Sequence, residues 1–175
     1  NSDAPTADAD QAAADEVAAL SRCLSAVCEG RFVRPGNHHL TLAFLGEVGE
    51  AEARRAMDAL DAACAGAGPV ELVAEGLGTF GRGRDATLWL GVEKNPGLAA
   101  LAERLREELL ARGLCFDEKP FLPHVTIARR ARLPQAALEG LAFPLPDEAH
   151  AVTLYRSFLD PGGARYKPLY TVGLG

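Results

Sequence analysis

The chain has 175 residues, is 48% hydrophobic and carries a formal net charge of -6, which fits a single domain, or two small packed lobes, with a real apolar core. No apolar run approaches the roughly 18 residues of a membrane span, and no basic-then-apolar leader is visible. Composition therefore predicts a cytoplasmic protein with no membrane partner. Acidity does not exclude a phosphate ligand: Asp3, Asp8, Asp10, Asp15 and Glu16 all fall in the first 20 residues, where there is no Lys or Arg. Among the 18 basic residues only Lys94, Lys119 and Lys167 are not Arg, and Arg suits bidentate phosphate recognition.

Residues 1–9 are small, acidic and unpatterned and are expected to be flexible. Val17, Leu20, Leu24 and Val27 fall on one face of a helix starting after Asp10, as an N-cap, and stopped by Gly30. Residues 31–36 read as a connector ending in the turn Pro35-Gly36. A strand follows, from Asn37 to Gly46. Glu50 to Cys64 is a second helix, burying Ala53, Ala56, Met57, Leu60 and Ala63. Strands are expected at Val70–Ala74 and Thr87–Val92, with a loop or hairpin at 81–85 between them. Leu98, Leu101, Ala102, Leu105 and Leu109 give the clearest amphipathic helix. A strand through Pro123–Arg129, a short helix at 134–141, and a hairpin of Val152–Leu159 with Tyr166–Leu174 complete the chain. Cys23, Cys28, Cys64 and Cys115 lack metal-ligand spacing and read as reduced core thiols.

Two of these strands share a pattern. His39-Leu40-Thr41-Leu42 and His124-Val125-Thr126-Ile127 each place a His two positions before a Thr. Side chains alternate along a strand, so each His and its Thr share one face while the apolar residues anchor the other. A helix precedes each strand, which suggests two similar α/β lobes related by a pseudo-twofold axis. If the strands lie side by side, two imidazoles and two hydroxyls converge. One His can then accept a proton while the other donates one, the arrangement phosphodiester cleavage needs, and the Thr hydroxyls can hold non-bridging phosphate oxygens. Arg129 or Arg130 could add positive charge, and simple alternation favours Arg130.

At this point the sequence resembles the 2H phosphoesterase superfamily, and most of all its RNA 2′,3′-cyclic phosphodiesterase branch, historically called 2′-5′ RNA ligase. The resemblance rests on Asn37-His38-His39-Leu40-Thr41-Leu42-Ala43-Phe44-Leu45-Gly46-Glu47-Val48, Leu88-Trp89-Leu90-Gly91-Val92, Pro123-His124-Val125-Thr126-Ile127-Ala128-Arg129 and the final hairpin. It covers about residues 31–174. It implies an α+β, bilobal fold with two antiparallel sheets flanking a central groove and helices outside. It implies hydrolysis of an RNA 2′,3′-cyclic phosphate to a 2′-phosphomonoester without metal or other cofactor. His39 would protonate the departing 3′ oxygen, His124 would activate water, and Thr41 and Thr126 would bind the phosphate. Of the two arginines, the family pattern favours Arg129. Members usually begin with an apolar strand, a place that residues 1–9 are not expected to fill.

Other readings compete. The same chemistry could serve a small cyclic phosphate, either a cyclic nucleotide or an ADP-ribose cyclic phosphate, and the groove could hold RNA or a nucleotide without catalysis. A monomer is expected. His38 points away from His39 and reads as structural, His150 as a surface residue. Phe44 and Phe80 are expected in the core rather than stacked on a base, and so is Trp89. A zinc site is not expected, because His38 and His39 diverge and no Cys or carboxylate stands at ligand spacing.

Overall fold

The structure, a computed structural model, describes residues 2–9, 11–81, 86–132, 141–161 and 163–175. In chain order the elements are β1 (Ser2–Ala9), α1 (Gln11–Ser25), β2 (Glu29–Phe32), β3 (Leu40–Thr41), α2 (Glu50–Cys64), β4 (Val70–Leu72), β5 (Ala74–Phe80), β6 (Ala86–Val92), α3 (Pro96–Ala111), β7 (His124–Arg132), β8 (Asp147–Asp160) and β9 (Gly163–Gly173). The helix expected at 134–141 falls, save for Leu141, outside the described residues, as do Asp10 and 82–85.

The fold is α+β and its strand pairs are antiparallel. The nine strands form one hydrogen-bonded path, β4-β8-β1-β3-β7-β6-β5, with β9 on β8 and β2 on β7; it divides into two antiparallel half-sheets, the first sheet (β9, β8, β4 and β1) and the second sheet (β5, β6, β7 and β2). The two-residue β3 joins them, pairing with β1 through Thr41 and Leu40 and with β7 through the single rung Leu40↔Val125. Each sheet has its own apolar core. On the first, α2 contributes Ala56, Ala59, Leu60 and Ala63, and α3 contributes Leu98, Leu101, Leu105 and Leu109; both pack against Leu40, Leu42, Val152 and Leu154. These helical positions recur every three or four residues, the spacing of one helix face. On the second, Leu20 and Leu24 of α1 pack against Leu88, Leu90 and Ile127. Because α1 sits on the second sheet while β1 belongs to the first, the N-terminal segment crosses between the halves.

Local chemistry fixes the helix starts. The Asn95 side-chain oxygen accepts the Leu98 N–H at 2.9 Å, with Pro96 in the first turn of α3. At α2 the Glu52 carboxylate reaches back to the Gly49 N–H at 3.3 Å.

Residues 1–9 depart most from expectation. Ser2–Ala9 is a strand with β8 on one side and β3 on the other, although its sequence lacks the apolar alternation that marks one. Two features hold it. Pro5 interrupts no β8 rung: its carbonyl accepts the Leu42 N–H at 2.9 Å, and the N and C=O of one strand residue face the same side, so the missing N–H lies away from β8. Asp3, 1% exposed, makes a bidentate pair with Arg156 of β8, at 3.0 and 3.2 Å. Its backbone also bonds both Gly46 and Leu45, its N–H donating to the Gly46 carbonyl, so β1 is tied to the end of the first His motif.

Smaller differences follow the same logic. Part of the expected connector is β2, paired with β7. Of the strand expected from Asn37 to Gly46, only Leu40–Thr41 is regular. Cys28 and Cys64 are buried, but Cys23 and Cys115 are exposed, and all four are free thiols. Among the described residues no helix is long and apolar enough to cross a membrane.

Removing one partner of a buried ion pair strands the other charge. Asp3→Ala is therefore expected to lower stability by about 3 kcal/mol, measured by urea unfolding. A loss of only a few tenths of a kcal/mol, as at an exposed pair, would contradict the tie described here.

Candidate active site

The two His motifs are positioned by their apolar partners. Leu40 is 3% and Leu42 0% exposed, and Ile127 is 0% exposed, which turns Thr41 and the ring of His39 to the opposite, groove-lining face. Thr126 and His124 follow the same alternation on β7. Each ring is then fixed in the same way. His39 Nδ1 donates to the Asn37 carbonyl at 2.7 Å, and His124 Nδ1 donates to the Leu122 carbonyl at 2.6 Å. A carbonyl cannot donate, so Nδ1 carries the proton. Nε2 is left as the atom that gains or loses a proton, a lone pair in the neutral ring and a donor in the cation.

The two rings are electrostatically coupled. The pKa of His39 lies below the ordinary imidazole value, first because burial penalises its charge. The Asn37 carbonyl opposes this by favouring the cation, while the nearby charges of Arg129 and His124 lower it further. His38 lines a cavity of about 190 Å³ together with His39, Leu40, Val125 and Tyr166; its Nε2 is buried without a partner, and burial, then His39, pushes its pKa down. His150 is exposed.

Arg129 reaches the groove because β7 is irregular. Thr126 pairs with Trp89 but Ala128 with Leu88, so one extra residue is accommodated at Ile127 and the alternation shifts by one step. Arg129, not Arg130, then shares the face of His124 and Thr126. It lies near enough to Tyr166, as well as His39, to influence its ionisation. Arg130 takes a left-handed φ of 49°, uncommon for a residue with a side chain.

Aromatic side chains flank both imidazoles, and sequence reasoning missed most of this. The Tyr166 ring lies against His39 at 4.6 Å between centroids. It is carried there by the β8–β9 hairpin, which Asn37 fastens through its side-chain amide to the Ala164 carbonyl at 3.0 Å. Asn37 thus orients His39 with its carbonyl and holds the neighbouring ring with its amide. On the other side Phe80 meets His124 edge-on at 5.4 Å, and Trp89 lies 6.1 Å away. Phe44 and Phe80, expected in the core, are 46% and 40% exposed, and Trp89 is partly buried beside the groove. Gly78 allows this: a Cβ there would come within 2.3 Å of the Trp89 ring. No local pattern announces these contacts, because each joins strands distant in sequence; only the glycines opposite Trp89 and His124, Gly78 and Gly91, hint at one.

One further side chain braces both motifs. Arg106 of α3 donates to the Leu42 carbonyl at 3.2 Å and to the Lys119 carbonyl at 3.0 Å, next to Thr41 on one side and in the approach to His124 on the other. Its guanidinium lies over Phe116 and Phe121. Among the described residues no group of three or more His, Cys, Asp or Glu could hold a metal ion.

Comparison with known proteins agrees with this architecture. Residues 8–158 match the family model described as the 2′-5′ RNA ligase superfamily. An RNA 2′,3′-cyclic phosphodiesterase of Thermotoga maritima is 38% identical over 144 residues, covering 79% of this chain and 76% of that protein. One from Escherichia coli K12 is 38% identical over 146 residues, covering 80% and 77%. Among solved structures, E. coli LigT in its apo form superposes with a TM-score of 0.77 at 28% identity, covering 99% of this chain and 96% of that one. With the family model and these relatives spanning most of its length, the chain belongs to the 2′-5′ RNA ligase superfamily of 2H phosphoesterases.

Proposed function

We propose that this protein hydrolyses the 2′,3′-cyclic phosphate ends of RNA to 2′-phosphomonoesters, with His39 and His124 as its acid and base and without a metal ion. The observation that carries the reading is the matched pair of imidazoles, each held at Nδ1 by the carbonyl two residues upstream. Its support from outside is the similarity to proteins named RNA 2′,3′-cyclic phosphodiesterase.

In the reaction, His124 Nε2 takes a proton from water as the water oxygen bonds to phosphorus. The bond from phosphorus to O3′ breaks, and His39 Nε2 gives its proton to O3′. The product carries the phosphate on O2′; His124 ends protonated and His39 neutral, and exchange with solvent resets both. Thr41 and Thr126 donate to the non-bridging oxygens, where negative charge grows, and Arg129 neutralises part of it. The lowered pKa of His39 belongs to the free protein. A bound phosphate places negative charge beside the ring and favours the cation, so the acid is charged by its own substrate.

His39→Ala and His124→Ala are each expected to cut turnover of an end-labelled cyclic-phosphate RNA by about 10²–10⁴-fold in the presence of EDTA, and the wild-type product is a 2′ monoester. A 3′ monoester, loss of activity to the chelator, or undiminished variants would each refute the mechanism. In an NMR titration of the free protein, His39 is expected to titrate below about 6.5 and to move upward when inorganic phosphate is added. A value at or above the ordinary one with no response to phosphate would show that burial and the neighbouring cations do not govern this ring. Tyr166→Phe, which keeps the ring packed on His39, is expected to retain most of kcat, whereas Tyr166→Ala loses about tenfold or more with little change in KM. Equal losses in both variants would assign the effect to the hydroxyl instead.

A further inference from the structure

The groove does not end at Arg129. In the β2–β7 pairing Arg31 stands directly opposite Arg129, and Glu29 opposite Arg132. Directly opposed residues of antiparallel strands project from the same face. Glu29 and Arg31 are two apart on β2, so Arg129 and Arg132 emerge together on the face that Arg31 shares. Arg31, Arg129 and Arg132 are all exposed. Among the described residues none of the three forms an ion pair; even Arg132 and Glu29, paired in register, do not close to salt-bridge distance. Two like charges directly opposed destabilise a sheet, and the left-handed φ of Arg130 adds strain between them. A chain of net charge -6 has thus gathered unneutralised guanidinium groups along one strand end, beginning beside His39 and running outward. That is a local reversal of field, able to guide a polyanion to one edge.

We propose that this edge, Arg31 and Arg132 together with Arg129, is the track for the RNA strand 5′ of the cyclic phosphate. The proposal rests on the reading of the site given above. A 2′,3′-cyclic phosphate closes the 3′ end, so the only backbone leaving the site runs 5′-ward, with one phosphate per nucleotide. With the terminal phosphate at His39, His124 and Arg129, the next phosphates 5′-ward meet Arg31, then Arg132. The planar guanidinium can take two phosphate oxygens at once. The substrate class that follows is an oligonucleotide rather than a mononucleotide.

The test uses the full chain and a 5′-fluorescein-labelled ten-nucleotide RNA ending in a 2′-phosphate, with binding read by anisotropy over a salt series. Arg31→Ala and Arg132→Ala are each expected to weaken binding several-fold and to flatten the slope of log Kd against log salt by about 0.7, the share of one phosphate contact on a single strand. Arg31→Lys, which keeps the charge, is expected to keep most of the slope, separating lost charge from misfolding. In parallel, the ratio of kcat/KM for a cyclic-phosphate RNA decamer to that for a 2′,3′-cyclic mononucleotide is expected to fall at least fivefold in the two Ala variants. Unchanged slopes, absence of RNA binding by the wild type, or displacement of the RNA by polyglutamate as readily as by unlabelled RNA would overturn the track; the last would mark a surface for acidic proteins. If the slopes flatten as stated but no cyclic phosphate is hydrolysed, the reading of the site fails and the track stands. If hydrolysis proceeds and the slopes do not move, the track alone fails.

Discussion

The chemistry proposed for this fold depends on one short hydrogen bond made twice, from an imidazole Nδ1 to the carbonyl two residues before it. It needs no partner from elsewhere in the chain, only a backbone that enters the strand at the correct angle. What the rest of the molecule supplies is that angle. Buried leucines on the reverse face of the first motif, and Val125 with Ile127 on that of the second, stop either segment from rolling. A tautomer is thereby chosen at each site, and the working nitrogen of both rings is left to the groove.

Around this constraint lies a layer of longer-range ties. Asp3 and Arg156 secure the N-terminal strand to β8 and to the end of the first motif. Arg106 spans the carbonyls of Leu42 and Lys119. Asn37 ties the β8–β9 hairpin to the loop that orients His39. Each is a polar group used where two segments must keep a fixed relation, and each would be expensive to bury unpaired. The cores under the helices hold each sheet together, while these ties set the position of one sheet's motif relative to the other's.

The catalytic candidates were legible because their signal is local. His39 with Thr41, and His124 with Thr126, need only period-two alternation and an apolar reverse face to be read as groove-facing pairs. The helices were legible through their leucine and alanine spacing. Arg129 was not legible from alternation, because the extra residue near Ile127 shifts the period and no side-chain pattern records a bulge. β1 was illegible for a different reason. Ser2–Ala9 has almost no strand propensity, and its place is held by neighbours: a ladder on β8, a Pro whose missing donor costs nothing there, and a buried carboxylate whose cation lies 153 positions away. The aromatic neighbours of the two rings, Tyr166, Phe80 and Trp89, belong to the same category, since proximity across strands leaves no trace in either strand's own sequence.

The brevity of β3 has a corollary for how errors would propagate. A strand of two residues meets β7 at one rung, Leu40↔Val125, and β1 at two, Thr6↔Thr41 and Ala7↔Leu40, so the ladder opposes a slip of a single position with only a few hydrogen bonds. Such a slip would rotate His38 into the place of His39, and an imidazole would still face the cleft. It would equally bring Leu40 to where Thr41 belongs and drive a hydroxyl into hydrocarbon. The tandem histidines therefore provide no spare: the penalty on the threonine helps lock the frame, and the residue two positions downstream acts as proofreader for the histidine proposed to move the proton.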